Sequence, residues 1–201
     1  MLLTQSIQKS VDINVLEQIH QAEAVIWQRD LTPNLQKEIS DLLAQPDFQE
    51  IYFRCKVDEL ISQLTDNQIL INLSSLQNDL IGLVKQFAQI TQTTQIRLDL
   101  SAISSDMCRK FHTDVTDFRL LCSYAGTGTY FVASEDLNGK PIENPLDEII
   151  QQTQLGEVII FRGALSATPE YPALLRKSPP AQQMGIRRLL LRLDTEGMDW
   201  I

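Results

Sequence analysis

The chain reads as an α+β protein, with N-terminal helices laid over a C-terminal barrel or jelly roll of short strands. Three observations predict this. Residues 1–93 carry apolar side chains mainly at helical spacing, whereas residues 94–201 break into short strand-like runs separated by Gly, Pro and Asn. The length of 201 residues, with 43% hydrophobic and 21% charged side chains, suits one globular domain with a real core.

Taken in order, Val15 to Trp27 places Val15, Leu16, Ile19, Val25 and Ile26 in a pattern that suits a helix, and its second half equally suits a strand. Thr32-Pro33 opens a helix over Asn34 to Ala44, because Thr caps well and Pro fits the first helical position; Pro46 ends it. Val57 to Leu64 is a short helix. Leu76 to Ile90 is the most regular one, with Leu76, Leu80, Leu83, Val84 and Phe87 at helical spacing. The period then changes. Gln95 to Leu100 alternates polar and apolar residues, the signature of a half-buried strand. Further strands are expected at Phe118–Tyr124, Tyr130–Val132, Glu157–Phe161 and Arg187–Leu193, a spacing that suits a closed or double-sheet β architecture. Gly126-Thr127-Gly128-Thr129 reads as a tight hairpin turn, since no helix start follows to make a phosphate cradle.

Composition narrows the function classes. A net charge of -9 is opposite to a nucleic-acid-binding footprint. Cys55, Cys108 and Cys122 are too few and too scattered for a disulfide framework. The N-terminus lacks the apolar core of a secretory signal, and no apolar run approaches the ~18 residues of a membrane span. A cytoplasmic protein without nucleic-acid or membrane partners is expected. Trp27 and Trp200 are read as packing residues. No Ser-His-Asp order, Walker loop or dinucleotide fingerprint is present.

His112-Thr113-Asp114 carries the most chemical information. On an extended backbone, side chains two apart share a face, so an imidazole nitrogen and a carboxylate oxygen could converge on one divalent ion. With a third protein donor they would form the facial triad that leaves coordination positions open. Cys108, four residues upstream, shares that face if the segment is extended. His20 is the only other histidine. The competing reading is a hydrogen-bonded His beside a loop Asp, with Cys108, Cys122 and Cys55 as small packing residues.

The segments Cys108-Arg109-Lys110-Phe111-His112-Thr113-Asp114, Arg119-Leu120-Leu121-Cys122-Ser123-Tyr124, Gly126-Thr127-Gly128-Thr129 and Lys177-Ser178-Pro179-Pro180 resemble the bacterial domain-of-unknown-function family DUF1826. The order of elements is also similar to that of the 2-oxoglutarate/Fe(II) oxygenases, whose double-stranded β-helix is a jelly-roll, cupin-like fold. That resemblance implies Fe(II) held by His112, Asp114 and a distal His. It also implies 2-oxoglutarate anchored by a Gly-x-Arg, matched by Gly185 and Arg187. Arg188 competes for the anchoring role, since neighbouring strand residues face opposite ways.

One departure stands out. Where the resemblance calls for a distal His before Ser178-Pro179-Pro180, the chain has Arg176-Lys177. Arginine offers no lone pair to a metal. The third ligand could then be a thiolate from Cys108 or Cys122, which would favour zinc, or His20 from the helical layer. Alternatively the site is metal-free, with Arg176 paired to Asp114. Two function classes remain: an oxygenase-like enzyme using Fe(II) and 2-oxoglutarate, or a non-catalytic metal-binding, ligand-binding or adaptor protein on the same scaffold, with a small molecule as its ligand.

Overall fold

Alternation along the C-terminal strands resolves into two stacked sheets, with helices covering the outer face of the larger one. The computed structural model describes residues 6–137 and 145–195; the N-terminal residues 1–5 and Trp200 lie outside them. The chain runs β1 (Ile7–Ser10), a 3-10 segment (Ile13–Gln21), β2 (Ala24–Trp27), α1 (Pro33–Leu43), β3 (Glu50–Lys56), α2 (Val57–Thr65) and α3 (Ser74–Thr91). It continues through β4 (Gln95–Ile103), β5 (Phe118–Ala125), β6 (Tyr130–Val132), the short α4 (Ser134–Leu137), β7 (Gln151–Gln152), β8 (Val158–Arg162), β9 (Leu175–Lys177) and β10 (Arg188–Thr195).

The helices start where their sequence says they should. Thr32 accepts a hydrogen bond from the Leu35 amide, and Pro33 occupies the first turn of α1. In α3, Leu76, Leu80, Leu83, Val84, Phe87 and Ile90 are all buried on one face. They pack on Ile96, Leu98 and Leu100 of β4, Leu120 and Cys122 of β5, and Leu189, Leu191 and Leu193 of β10, forming the main core. No helix among the described residues is long and apolar enough to cross a membrane.

The first half of the chain is less helical than its periodicity implies. Val15 to Trp27 divides into a 3-10 turn and a strand, and β1, β2 and β3 all join the large sheet, whose order is β1-β2-β8-β5-β10-β4-β3. Ile51, Phe53 and Cys55 alternate along β3 and pack toward the helices, so this strand carried a period-2 signal of its own. The small sheet has the order β7-β6-β9 and faces the other side of the large one. A second apolar cluster lies between them, formed by Ala24, Ile26, Leu121, Phe131, Ile159, Phe161 and Leu174.

The Gly126–Thr129 turn is not a hairpin between paired strands. It carries the chain from β5 in the large sheet to β6 in the small one. Gly128 permits that crossing: a Cβ there would stand 1.8 Å from the Thr153 carbonyl oxygen.

Candidate functional site

The inner face of the large sheet is charged. Register sets Arg97 of β4 opposite Asp194 of β10, and Asp194 opposite Arg119 of β5. Asp194 accepts two bonds from Arg97, at 3.0 and 2.5 Å, and one from Arg119 Nε. In the next inward-facing row Arg192 donates to Asp99 at 2.5 Å and lies beside Leu121. Cross-strand neighbours of opposite charge stabilise a sheet, and here the rows also neutralise charge that the small sheet covers. The polar positions of β4 thus face the barrel interior, although its alternation alone suggested a solvated side.

Asp114 closes this ladder. Arg119 Nη1 donates to Asp114, and so does Arg176 Nε; Arg176 Nη2 adds a bond of 2.6 Å. Arg176 sits on β9 directly opposite His112, and the two residues exchange both backbone bonds at 2.9 and 3.0 Å. His112 Nε2 lies 3.6 Å from Asp114 Oδ1. Burial pushes the Asp114 carboxyl up, but the nearby His112 ring, the bonds from Arg176 and the charges of Arg176 and Arg119 outweigh it, holding the group well below the usual carboxylate range. His112 is raised to about 10, first by the neighbouring Asp114 carboxylate and then by the nearby Cys108 thiol. Its Nδ1 donates to the Lys110 carbonyl at 3.0 Å, because that oxygen can only accept.

The other residues singled out from the sequence fall into two groups. Cys108 is exposed and lies against His112. Cys122 is buried under the helices, donating to the Gly156 carbonyl, and burial pushes its thiol up to about 12. His20 bonds to the Ile90 carbonyl at 2.8 Å and packs edge-on against Phe118, on the helical side. Neither Cys122 nor His20 therefore approaches Asp114.

The two candidate anchoring arginines separate in the same way. Arg187 donates to the carbonyls of Leu43 and Phe48, both at 2.6 Å, in the helical layer. Arg188 turns inward, is 1% exposed, and donates to the Thr127 carbonyl at 2.8 Å and the Ser123 hydroxyl at 3.2 Å. Gly126 makes room for it, since a Cβ there would stand 2.6 Å from Arg188 Cγ. Among the described residues no carboxylate pairs with Arg188. Burial and the neighbouring Arg176 charge lower its guanidinium to about 10.

A cavity of about 470 Å³ opens between the sheets, lined by Asp99, Ser101, Cys108, Arg176, Ser178 and Arg192 among others, with Leu121 and Leu190 as apolar walls. The ladder and its neighbours hold five guanidiniums (Arg97, Arg119, Arg176, Arg188, Arg192) against three carboxylates (Asp99, Asp114, Asp194). Glu50 stands only at the exposed rim. The inward charges Arg97, Arg119, Arg192 and Asp194 escaped the sequence reading. Their signal was charged residues two apart in otherwise apolar strands, Arg97 and Asp99 in β4 and Arg192 and Asp194 in β10, and the single charge Arg119 in β5.

A family model described as "Protein of unknown function (DUF1826)" matches residues 10–194. The chain belongs to DUF1826. No curated protein sequence matches this DUF1826 chain. Solved structures do. The dioxygenase for auxin oxidation 1 from Arabidopsis thaliana, determined with 2-oxoglutarate, aligns with a TM-score of 0.52 at 7% identity, covering 98% of this chain and 94% of its own. A prolyl-4-hydroxylase from Pseudomonas putida aligns with a TM-score of 0.51 at 9% identity, covering 92% and 93% respectively. At these identities the likeness establishes the fold, the double-stranded β-helix of the 2-oxoglutarate/Fe(II) oxygenases, and leaves activity to the residues.

Those residues do not fit iron. Among the described residues no three His, Cys, Asp or Glu side chains are grouped so that they could hold a metal ion. Both Asp114 oxygens are already taken by guanidinium bonds, and the residue facing His112 is an arginine.

Proposed function

We propose that this DUF1826 protein binds a small organic anion, of the 2-oxo acid class, in the barrel cavity without a metal. The observation that carries this reading is the clasp of Asp114 by Arg176. A guanidinium beside a carboxylate neutralises the same charge that a metal would, with a planar fork suited to two parallel bonds. The surplus of buried cations then favours an anionic guest, and Arg188, buried with no carboxylate partner among the described residues, is the group a carboxylate would neutralise. On the same face of β10, Leu190 and Arg192 line the cavity.

The experiment is metal analysis and ligand-induced stabilisation on one set of proteins. Wild type loaded anaerobically with Fe(II) is expected to retain no stoichiometric iron, whereas Arg176→His gains iron affinity. 2-Oxoglutarate raises the melting temperature of wild type, and Arg188→Met abolishes the rise. Stoichiometric iron in wild type, lost in His112→Ala, would overturn the metal-free reading and restore an oxygenase, the class whose fold this chain has. Unchanged iron affinity in Arg176→His would remove the equivalence of Arg176 with a metal ligand.

A further inference from the structure

The two edges of the large sheet differ. One is β1, four residues long; the other is β3, seven residues without Pro or Gly, paired to β4 on one side. Short edge strands and prolines protect a sheet from pairing with another chain, and β3 has neither. Its outer side is identified by its own ladder. The Gln49 carbonyl accepts from the Ala102 amide at 2.8 Å, and the Val57 amide donates to the Thr94 carbonyl at 3.1 Å. Antiparallel pairs alternate, so the odd-numbered residues of β3 turn their backbone groups to β4, while Glu50, Tyr52 and Lys56 turn theirs outward. Among the described residues no strand meets that side.

Charge is the remaining protection of an edge, and on β3 it is self-complementary. Glu50 and Lys56 lie three residues to either side of Phe53, both exposed and on one face of the strand. A second β3 laid antiparallel about a two-fold axis at Phe53 sets Glu50 opposite Lys56 twice, Ile51 opposite Cys55 twice, and Phe53 opposite its own counterpart. The same register matches outward-facing residues with outward-facing residues, as a ladder of exchanged N–H···O bonds requires. A parallel pairing in register would instead set Glu50 against Glu50 and Lys56 against Lys56, which repel. Apolar surface flanks the edge on both faces. Tyr52 is 49% exposed on one, and on the other the half-buried Phe53 lines a pocket with Ile69, which is 38% exposed.

We propose that the protein forms a two-fold dimer in which the β3 strands of two copies pair antiparallel about Phe53, joining their large sheets into one. Glu50 of each copy meets Lys56 of the other, the shared ladder takes up the outward backbone groups of Glu50, Tyr52 and Lys56, and the two Phe53 rings meet at the axis. Because the contact uses the same patch on both copies, assembly through it stops at two.

The test is sedimentation equilibrium of the full chain at up to about 100 μM, where a complex of micromolar Kd is mostly formed, with circular dichroism to confirm that each variant folds. Wild type is expected to sediment as a dimer. Tyr52→Pro should be monomeric, since that N–H points away from β4 and only the ladder between copies loses a donor. Glu50→Lys and Lys56→Glu each set like charges opposite one another twice and should weaken the dimer roughly tenfold. The double variant restores opposite signs and should recover the wild-type affinity. A wild type that stays monomeric overturns the proposal and leaves the edge to an extended peptide of another protein. A dimer that survives Tyr52→Pro, or a double variant that pairs no better than the single ones, overturns it as well.

Discussion

Asp114 holds together residues that lie far apart in sequence, since Arg119, Arg176 and His112 all address its carboxylate within the buried interior. Asp114→Ala would leave two buried guanidiniums short of a partner, a loss of about 3–5 kcal/mol measurable by urea denaturation. Its depressed carboxyl also has a pH consequence. The stabilisation is complete above the unfolded value and is lost as pH falls through the folded one, so this group contributes to acid unfolding and Asp114→Asn flattens that limb. Glu23 has the opposite sign. Burial raises it to about 7 from an ordinary 4.5, although Ser134 donates to it twice, and its Oε1 has no partner among the described residues. The folded state keeps a proton that the unfolded state releases, so stability falls as pH rises between those values. Glu23→Gln should gain about 1–3 kcal/mol over wild type at about pH 8 and little at about pH 4, read from denaturation at both.

At the scale of elements, local rules worked where one element's own residues decide its conformation. The Thr32 cap and Pro33 were readable because capping is settled within one helical turn, and Thr32→Ala should cost about 1 kcal/mol in thermal or urea unfolding. Strand β4 was readable from alternation, since side chains on successive strand residues face opposite ways whatever lies beyond them, and β5 and β10 were readable as short strand-like runs bounded by turn residues. Strands β7 and β9, of two and three residues, were too short to show a period at all. Strand β9 matters most, because it brings Arg176 opposite His112. What alternation could not say was which side is interior. The polar side of β4 faces Arg192 and Asp194 under the small sheet, while its apolar side faces the helices.

For the whole molecule, a net charge of -9 coexists with a barrel interior rich in arginine. Long-range repulsion from the acidic surface slows an approaching anion, whereas short-range contact with the interior favours it once inside. Added salt screens the first effect more than the second, because exposed charges are screened more than buried ones. Association of an anionic ligand should therefore speed up with moderate salt, with dissociation changed less, as stopped-flow binding would show.

The amino-acid sequence by itself determined the α+β class, the regular helices, the main C-terminal strands and the close spacing of Cys108, His112 and Asp114. It also carried the departure at Arg176, since one residue type excludes a lone pair for metal. Only the tertiary structure decided that Arg176 clasps Asp114, that Arg188 turns inward while Arg187 turns to the helices, and that Cys108 shares a cavity with Ser178. The physical reason is range. Caps and strand alternation are fixed by neighbours a few residues away, whereas a buried ion pair between positions 62 apart exists only after two sheets have stacked and expelled water between them.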